Sequence, residues 1–308
     1  MASNSVILTV LNEASSIERV LTSLRSQTVA PDEIVVADAG SNDGTIEAIT
    51  AAAANDARIR LLSAVGNRSF GRNKAIEAAA GSIIACIDGS CVADPTWLEI
   101  LLQPFESGAT WVAGFYKVEA DSIVDRCIGL TMVPVIEEID PGEFLPSARS
   151  MAFTRELWSA VGGFPEEVEF AEDTLFDERL MGMGFLPVFA DAVVRWRPPR
   201  GFAGLVRASF RWGRGDGLTR SRGWYYPKAL RLLLVCIAAG VVLLVLYPRA
   251  FPLFVVLALA PHVWKTTRYK YRHVTGRAKW VLIPTARVCA TAATLTGYLV
   301  GRLIDRPR

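Results

Sequence analysis

The sequence predicts an α/β fold with a mixed, mostly parallel sheet, followed by a C-terminal region of membrane helices. Apolar runs of strand length alternate with helical patterns through the first part of the chain, which is typical of a sheet covered by helices. The charge is divided sharply, because residues 1–194 carry a net charge of −17 and residues 195–308 carry +19. With 51% hydrophobic residues the chain is too apolar for a disordered protein. We expect two modules that meet near residue 195.

The acidic module gives the order strand, helix, strand from its first residues onward. The predicted strands are Ser5–Leu11, Glu33–Ala37, Arg58–Leu62, Ser82–Ile87, Thr110–Val118, Ala148–Phe153 and Phe185–Ala190. The predicted helices are Ser15–Ser26, Ile46–Ala54, Arg72–Ala80, Trp97–Gln103, Arg155–Val161 and Glu172–Met181. Glycine pairs or near pairs end the last two helices, and no pattern assigns an element to Asp121–Glu143.

Acidic residues follow two of the predicted strands. Asp38 and Asp88 each come after an apolar strand and before small residues, and Glu172 and Asp173 open a helix. Ligands of open α/β sheets bind beyond the carboxyl ends of the strands, so both strand-end carboxylates are expected to share one cleft. Such groups accept hydrogen bonds or hold a divalent cation, whereas a single acid in a turn can simply cap a helix.

Histidine and cysteine chemistry is excluded from the acidic module. The two histidines, His262 and His273, both belong to the basic part, and the five cysteines form no C-x-x-C pair. Neither Ser-His nor Cys-His catalysis has a base there, and no zinc site of ordinary spacing is present. We expect buried cysteines in a reducing compartment, and chemistry that depends on carboxylates, a metal ion, or both.

The basic part predicts attachment to a membrane. Residues 201–228 mix aromatic side chains with arginines, as a segment at a lipid surface does, and residues 229–308 contain three apolar segments. These are Leu232–Tyr247, Phe251–Trp264 and Val281–Val300. They predict two or three membrane helices, with Arg287 inside the third. The loop Lys265–Lys279 has six basic residues and no acid, which favours the cytosolic face.

The N-terminal start is polar and does not resemble a signal peptide, so we expect the N-terminal module, residues 1–200, to stay in the cytosol. The predicted location is therefore the inner cell membrane, with several spans. A role in nucleic-acid binding is not expected, because the basic residues are interleaved with segments of lipid-compatible length.

Ordered motifs across residues 4–200 resemble the family 2 glycosyltransferases of the GT-A fold. The donor-side motifs are Ser5–Glu13, Glu33–Thr45, Gly71–Ala75, Cys86–Ser90 and Asp94–Leu98. The acceptor-side motifs are Ala152-Phe153, Gly162-Gly163-Phe164 and Glu172-Asp173-Thr174-Leu175. The resemblance implies an inverting enzyme that moves a sugar from a nucleotide diphosphate sugar, most often a UDP-sugar, to a hydroxyl of a lipid-linked saccharide or cell-surface glycan.

The resemblance also implies roles for individual residues. Asp173 would be the general base, with Glu172 as its orienting neighbour. The donor would contact Leu11, Asn12, Glu13, Asp38, Arg72, Asp88 and Gly89. Mg²⁺ or Mn²⁺ would be held at Asp88, with Ser90 where the family has a second acid, and a hydroxyl is a weaker ligand than a carboxylate.

Three residues of the basic part resemble an Arg-Trp element of polysaccharide-building members. Arg211, Trp212 and Arg214 would contact the acceptor and a phosphate group, or would instead form a basic surface helix on anionic lipid. Two other functions stay open. One is transfer of a sugar to polyprenyl phosphate, and the other is a membrane scaffold that binds nucleotide sugars without catalysis.

Overall fold

The computed structural model describes residues 2–220, 226, 230–231, 239 and 244–304. The chain forms two compact units. The first unit comprises Met1–Glu119 and Ile139–Arg197, and the second comprises Ala120–Glu138 and Pro198–Arg308. The border at Arg197–Pro198 lies close to the change of charge near residue 195. The predicted division into residues 1–200, 201–228 and 229–308 stays a prediction.

The first unit is built on one mixed sheet of eight strands. The strands are β1 (Asn4–Val10), β2 (Glu33–Asp38), β3 (Ile59–Ser63), β4 (Ile83–Cys86), β5 (Cys91–Ala93), β6 (Trp111–Val118), β7 (Met151–Thr154) and β8 (Val188–Trp196). Their order is β3-β2-β1-β4-β7-β6-β8-β5. The first four are parallel, β7 is antiparallel to both neighbours, and β8 is parallel to β6 and antiparallel to β5. The predicted mixed α/β sheet is confirmed.

Helices cover the faces of this sheet. They are α1 (Ile17–Arg25), α2 (Thr45–Asn55), α3 (Arg68–Ala78), α4 (Trp97–Glu106), α6 (Arg155–Ala160) and α7 (Glu172–Gly182). The sequence explains α1 directly, because Ile17, Val20, Leu21 and Leu24 recur at helical spacing and all four are buried on one face. A core of aromatic side chains lies under α7, where Phe153, Phe164 and Phe176 pack against one another.

The described part of the second unit consists of helices. They are α5 (Ile123–Met132), a 3₁₀ turn (Ile136–Glu138), α8 (Gly201–Thr219), α9 (Phe251–Thr267), a second 3₁₀ turn (Lys270–His273) and α10 (Lys279–Leu303). Glycines let α8 and α10 approach closely. A Cβ atom on Gly213 would lie 2.0 Å from the carbonyl oxygen of Thr294, and one on Gly297 would lie 2.1 Å from that of Phe210. Any side chain at these positions would therefore push the two helices apart.

The predicted membrane helices are not supported. Phe251–Trp264 lies within α9 and Val281–Val300 within α10, but no helix of the described residues is long and apolar enough to cross a bilayer. The physical reason is that α9 has 17 residues, while a span needs about 20, and that α10, a continuous helix of 25 residues, has the charged Arg287 among its apolar side chains. Most of Leu232–Tyr247 lies outside the described residues.

Candidate active site

Asp38 is the last residue of β2 and lies buried at the carboxyl end of the strand. Its Oδ2 atom accepts hydrogen bonds from the N–H groups of Gly40, at 2.9 Å, and Ser41, at 3.0 Å. Gly40 has a φ of +98°, which lets the chain turn back over the carboxylate. The Oδ1 atom is buried and has no hydrogen-bond partner within the described residues. A buried acceptor of this kind is suited to receive one N–H from a bound ligand.

The loop after β1 holds Leu11, Asn12 and Glu13 beside the Asp38 turn. The N–H of Asn12 donates to Ser41 Oγ at 2.9 Å, and the N–H of Glu13 donates to Thr45 Oγ1 at 2.8 Å. Leu11 is 55% exposed, so its side chain is open to a ligand. The structure therefore brings these three predicted donor-binding residues to the same turn as Asp38.

Arg72 joins two of the predicted acidic residues. Its guanidinium donates to Asp88 Oδ1 at 3.0 Å and to Glu172 Oε1 at 2.8 Å, and it lies 5.4 Å from the centre of the Phe164 ring. The Arg72 side chain is 5% exposed and that of Glu172 is 7% exposed, whereas Asp88 is 30% exposed. Of these three groups, the Asp88 carboxylate is the one that remains partly open to solvent. Glu172 is therefore the buried ion-pair partner of Arg72, and its predicted role as the orienting neighbour of Asp173 stays a prediction.

Arg149 is a site residue that the sequence did not identify. Its Nε atom lies 3.9 Å from Asp88 Oδ2, and its guanidinium lies 5.0 Å from the Trp196 ring centre and 5.4 Å from that of Tyr116. Burial alone would raise the pKa of the Asp88 carboxyl, but the charges of Arg72 and Arg149 hold it below its usual value. Asp88 is therefore ionised at neutral pH.

Asp173 lies in the first turn of α7 and is linked to Asp88 through two side chains. Ser147 Oγ donates to Asp173 Oδ2 at 3.1 Å, and Arg149 Nη1 donates to Ser147 Oγ at 3.2 Å. The other carboxylate oxygen of Asp173 accepts the N–H of Thr174 at 2.9 Å. Asp173 is half-buried, so a fixed carboxylate remains within reach of a ligand. The resulting chain of contacts is Asp88, Arg149, Ser147, Asp173.

The predicted acidic residues thus occupy one region of the first unit. Asp38 ends β2 and Asp88 follows β4, and these strands flank β1 on either side in parallel. Both carboxylates therefore lie at the same edge of the sheet. Asp173 joins them through the contact chain.

Gly89 is required by packing. A Cβ atom at this position would lie 2.7 Å from Val10 Cγ1 and 3.1 Å from the Thr9 carbonyl oxygen. We expect Gly89→Ala to lower the free energy of unfolding by about 1–3 kcal/mol, because β1 and the Asp88 loop must separate. Gly182→Ala is the matched control, since a Cβ atom there would meet no described atom within 4 Å. Urea denaturation of both variants measures the difference, and equal stabilities would contradict this account of Gly89.

Arg211, Trp212 and Arg214 lie on α8 in the second unit. Arg211 is exposed, whereas Trp212 and Arg214 are half-buried. Their predicted contact with an acceptor or phosphate stays a prediction.

The predicted metal ligands provide a single carboxylate. No group of three or more His, Cys, Asp or Glu side chains that could hold a metal ion exists in the described parts of the chain. Ser90 follows Asp88 by two residues and is half-buried. Its place as the second ligand stays a prediction.

The described cysteines lie at buried or half-buried positions. Cys86, Cys91 and Cys127 are buried and Cys289 is half-buried, while Cys236 lies outside the described residues. Burial raises the pKa of Cys86 to about 12, so this thiol stays protonated.

Comparisons with known proteins identify the family and the fold. Residues 5–126 match the family described as Glycosyl transferase family 2. Glycosyltransferase AglE of Haloferax volcanii is 30% identical over 226 residues, which are 69% of this chain and 72% of that protein. The uncharacterized glycosyltransferase EpsJ of Bacillus subtilis is 28% identical over 186 residues, or 56% of this chain and 54% of that protein.

Solved structures show the same fold at lower identity. Mannosyltransferase PcManGT from Pyrobaculum calidifontis, in complex with GDP-Man and Mn²⁺, has a TM-score of 0.57 at 21% identity, covering 96% of this chain and 87% of that chain. Glucosyl-3-phosphoglycerate synthase from Mycobacterium tuberculosis, in complex with phosphoglyceric acid, has a TM-score of 0.50 at 22% identity. The match covers 71% of this chain and 80% of that chain.

Proposed function

Because this chain belongs to glycosyl transferase family 2 and is a glycosyltransferase, we propose that it transfers a sugar from a UDP-sugar to an acceptor hydroxyl with inversion of the anomeric centre. The observation that carries this proposal is the chain of contacts from Asp88 through Arg149 and Ser147 to Asp173. These contacts link Asp88 and Arg149, where a charged leaving group is proposed to bind, to Asp173, the proposed base.

The donor base is assigned to Asp38. Its Oδ2 atom already accepts two backbone N–H groups, so the buried Oδ1 atom offers one further acceptor. Uracil presents a single imide N–H, whereas guanine presents two adjacent donors, and this difference favours a uridine nucleotide. The PcManGT neighbour binds GDP-Man, so the choice of base is a point on which the two proteins are expected to differ.

Two arginines stand where the diphosphate is expected. Arg72 and Arg149 both lie against Asp88, and Arg149 is held between two aromatic rings. A preorganised cation stabilises the negative charge that develops on a departing diphosphate without further reorganisation. Arg72 already donates to Asp88 and Glu172 and its side chain is 5% exposed, whereas that of Arg149 is 18% exposed, so Arg149 is the better placed of the two to contact the leaving group.

A divalent cation fits this site only if the donor shares it. Mg²⁺ is commonly held by one or two carboxylates together with substrate phosphates, and the partly exposed Asp88 provides one such carboxylate. We assign Mg²⁺ or Mn²⁺ to Asp88 and the donor diphosphate, with Ser90 as a neighbouring hydroxyl. When bound, the cation would supply Lewis-acid stabilisation of the departing diphosphate.

Asp173 is the proposed general base. It removes the proton of the acceptor hydroxyl as that oxygen forms a bond to the anomeric carbon. The bond between the anomeric carbon and the diphosphate oxygen breaks on the opposite face, so the configuration inverts. Ser147 keeps the carboxylate in place by donating a hydrogen bond to Asp173 Oδ2. Ser147 is therefore a positioning residue.

The acceptor is proposed to be a lipid-linked saccharide or a cell-surface glycan at the cytosolic face of the inner membrane. This part of the proposal is supported by the net charge of +19 over residues 195–308 and by exposed apolar side chains on α9, such as Val256 and Leu257.

Donor binding is tested by thermal unfolding in the presence of nucleotide sugars, with and without Mn²⁺. A ligand that binds only the folded state raises the unfolding temperature, so UDP-sugars should protect more than GDP-sugars. We expect Asp38→Asn to weaken UDP-sugar binding about 10- to 100-fold, because the loss of a hydrogen bond to a charged group costs about 1.5–3 kcal/mol.

The control for this substitution is Glu47→Gln, an exposed acid at the start of α2. It should bind the donor as the wild type does. Equal protection of the wild type and Asp38→Asn by every nucleotide sugar would contradict the assignment of the base to Asp38.

A further inference from the structure

An open cavity in the second unit is lined by charged side chains that the sugar-transfer chemistry does not use. Its volume is about 490 Å³, and α5, α9, α10 and the two 3₁₀ turns contribute to it. The charged lining residues are Glu137, Glu138, Lys265, Arg268, Lys270 and Arg287. Positive side chains therefore outnumber negative ones by two.

Both acidic residues of the cavity are already engaged. Lys270 is 2% exposed, and its Nζ atom donates to Glu138 Oε2 and to the Val133 carbonyl oxygen, each at 2.8 Å. His273 Nε2 lies 2.9 Å from Glu137 Oε2. These contacts fix one wall of the cavity and leave the glutamates little capacity to neutralise further cations.

Two other cations of the cavity, Lys265 and Arg268, are differently placed. Lys265 and Arg268 are exposed, and neither has an acidic partner among the described residues. The Arg268 guanidinium lies 4.7 Å from the Tyr269 ring centre, which restricts its orientation. Arg287 is half-buried on α10.

Burial and the cations of the cavity lower the pKa values of two neighbouring groups. Burial lowers the pKa of Lys270 to about 8, and the charge of Arg287 adds to this effect although Glu138 opposes it. Burial, Arg287 and Lys265 likewise lower the pKa of His262. An anion in the cavity would relieve this repulsion.

We propose that this cavity binds a phosphate or diphosphate group, with Lys265, Arg268 and Arg287 as its contacts. Guanidinium groups bind phosphate through paired N–H donors, and the volume leaves room for a larger molecule that carries the group. That molecule is either a lipid with a phosphate headgroup or a soluble diphosphate. None of these residues belongs to the first unit, and the site stands independently of the proposed sugar transfer.

The test compares the double variant Lys265→Ala/Arg268→Ala with the wild type of the full chain. The matched control is Arg249→Ala/Arg277→Ala, which also removes two exposed cations of the second unit but none from the cavity. Calorimetry with inorganic pyrophosphate probes the soluble ligand. Flotation with phosphatidylcholine vesicles, with and without phosphatidic acid, probes the lipid headgroup. Thermal unfolding checks that all the variants fold.

We expect the cavity variant to bind at least one of the two probes about tenfold more weakly than the control does. A loss confined to pyrophosphate assigns the site to a soluble diphosphate, and a loss confined to phosphatidic acid assigns it to a lipid headgroup. If the cavity variant and the control bind both probes equally, the cavity is not an anion site and the proposal is overturned. The catalytic site is unchanged in both variants, so its own affinity for pyrophosphate cancels in the comparison.

Discussion

Replacing Asp173 by asparagine is expected to lower kcat about 10²- to 10⁴-fold while donor affinity stays within about twofold of the wild type. The amide cannot take the proton of the acceptor hydroxyl, but it is nearly the same size as the carboxylate and can still accept the hydrogen bond from Ser147. The measurement is steady-state kinetics together with donor binding followed by thermal unfolding.

The control for Asp173→Asn is Asp191→Asn, an exposed acid on β8 in the same unit. This substitution changes the net charge equally and should leave kcat unchanged. If Asp173→Asn retained wild-type turnover, the residue would not be the base.

Replacing Arg72 by methionine is expected to have the largest effect on stability. Arg72 is the buried partner of Glu172, and removal of one partner from a buried ion pair costs about 3–5 kcal/mol. Loss of the contact with Asp88 adds less to this cost, because Asp88 is 30% exposed and water screens its unpaired charge. Urea denaturation of the wild type and the variant measures the change in the free energy of unfolding.

A second substitution separates the unpaired charge from the loss of packing. In Arg72→Met/Glu172→Gln an uncharged amide replaces the buried carboxylate. The double variant should therefore be more stable than Arg72→Met alone. If both variants unfolded at the same urea concentration, the unpaired charge of Glu172 would not be the cause of the lower stability of Arg72→Met. Arg60→Met is a suitable control, because its ion pair with Glu33 is half exposed on the arginine side.

Strand-end residues were the part of the site that could be predicted from the sequence. Asp38 and Asp88 follow apolar runs, and in an open α/β sheet the ends of neighbouring parallel strands meet whatever the loops between them do. Asp173 was identified by its resemblance to a family motif. The structure brings Asp38 and Asp88 to one sheet edge and links Asp173 to Asp88, while the roles of all three stay predictions.

Arg149 and Ser147 could not be found in the same way. The sequence predicts a strand from Ala148, but β7 begins at Met151, and Ser147 and Ser150 form an isolated bridge before it. The partners of Arg149 come from distant segments, since Tyr116 is on β6 and Trp196 is on β8. Local periodicity carries no information on such contacts. The available signal was an arginine two residues before the apolar run Met151–Phe153.

Two further differences have local causes. The last strand was predicted at Phe185–Ala190, but β8 is Val188–Trp196, because pairing with β6 and β5 continues past the charged Asp191. The strand β5 was not predicted, since its three residues are held by β8 rather than by a pattern of their own.

The region without an assignment, Asp121–Glu143, contains α5 and a 3₁₀ turn. Its first part, residues 121–138, belongs to the second unit, so the helix is stabilised by contacts with segments far away in sequence. Ile128 packs with Leu205 and Ala286 in the core of that unit. A pattern that depends on such partners is not visible in a short window of sequence.

The anomeric configuration of the released sugar tests the central claim most directly. An inverting enzyme that slowly hydrolyses an α-linked UDP-sugar releases the β-anomer first, and proton NMR detects it before mutarotation equalises the two forms. We predict the β-anomer from the wild type and a much slower release from Asp173→Asn. Initial release of the α-anomer would contradict a single displacement with Asp173 as base.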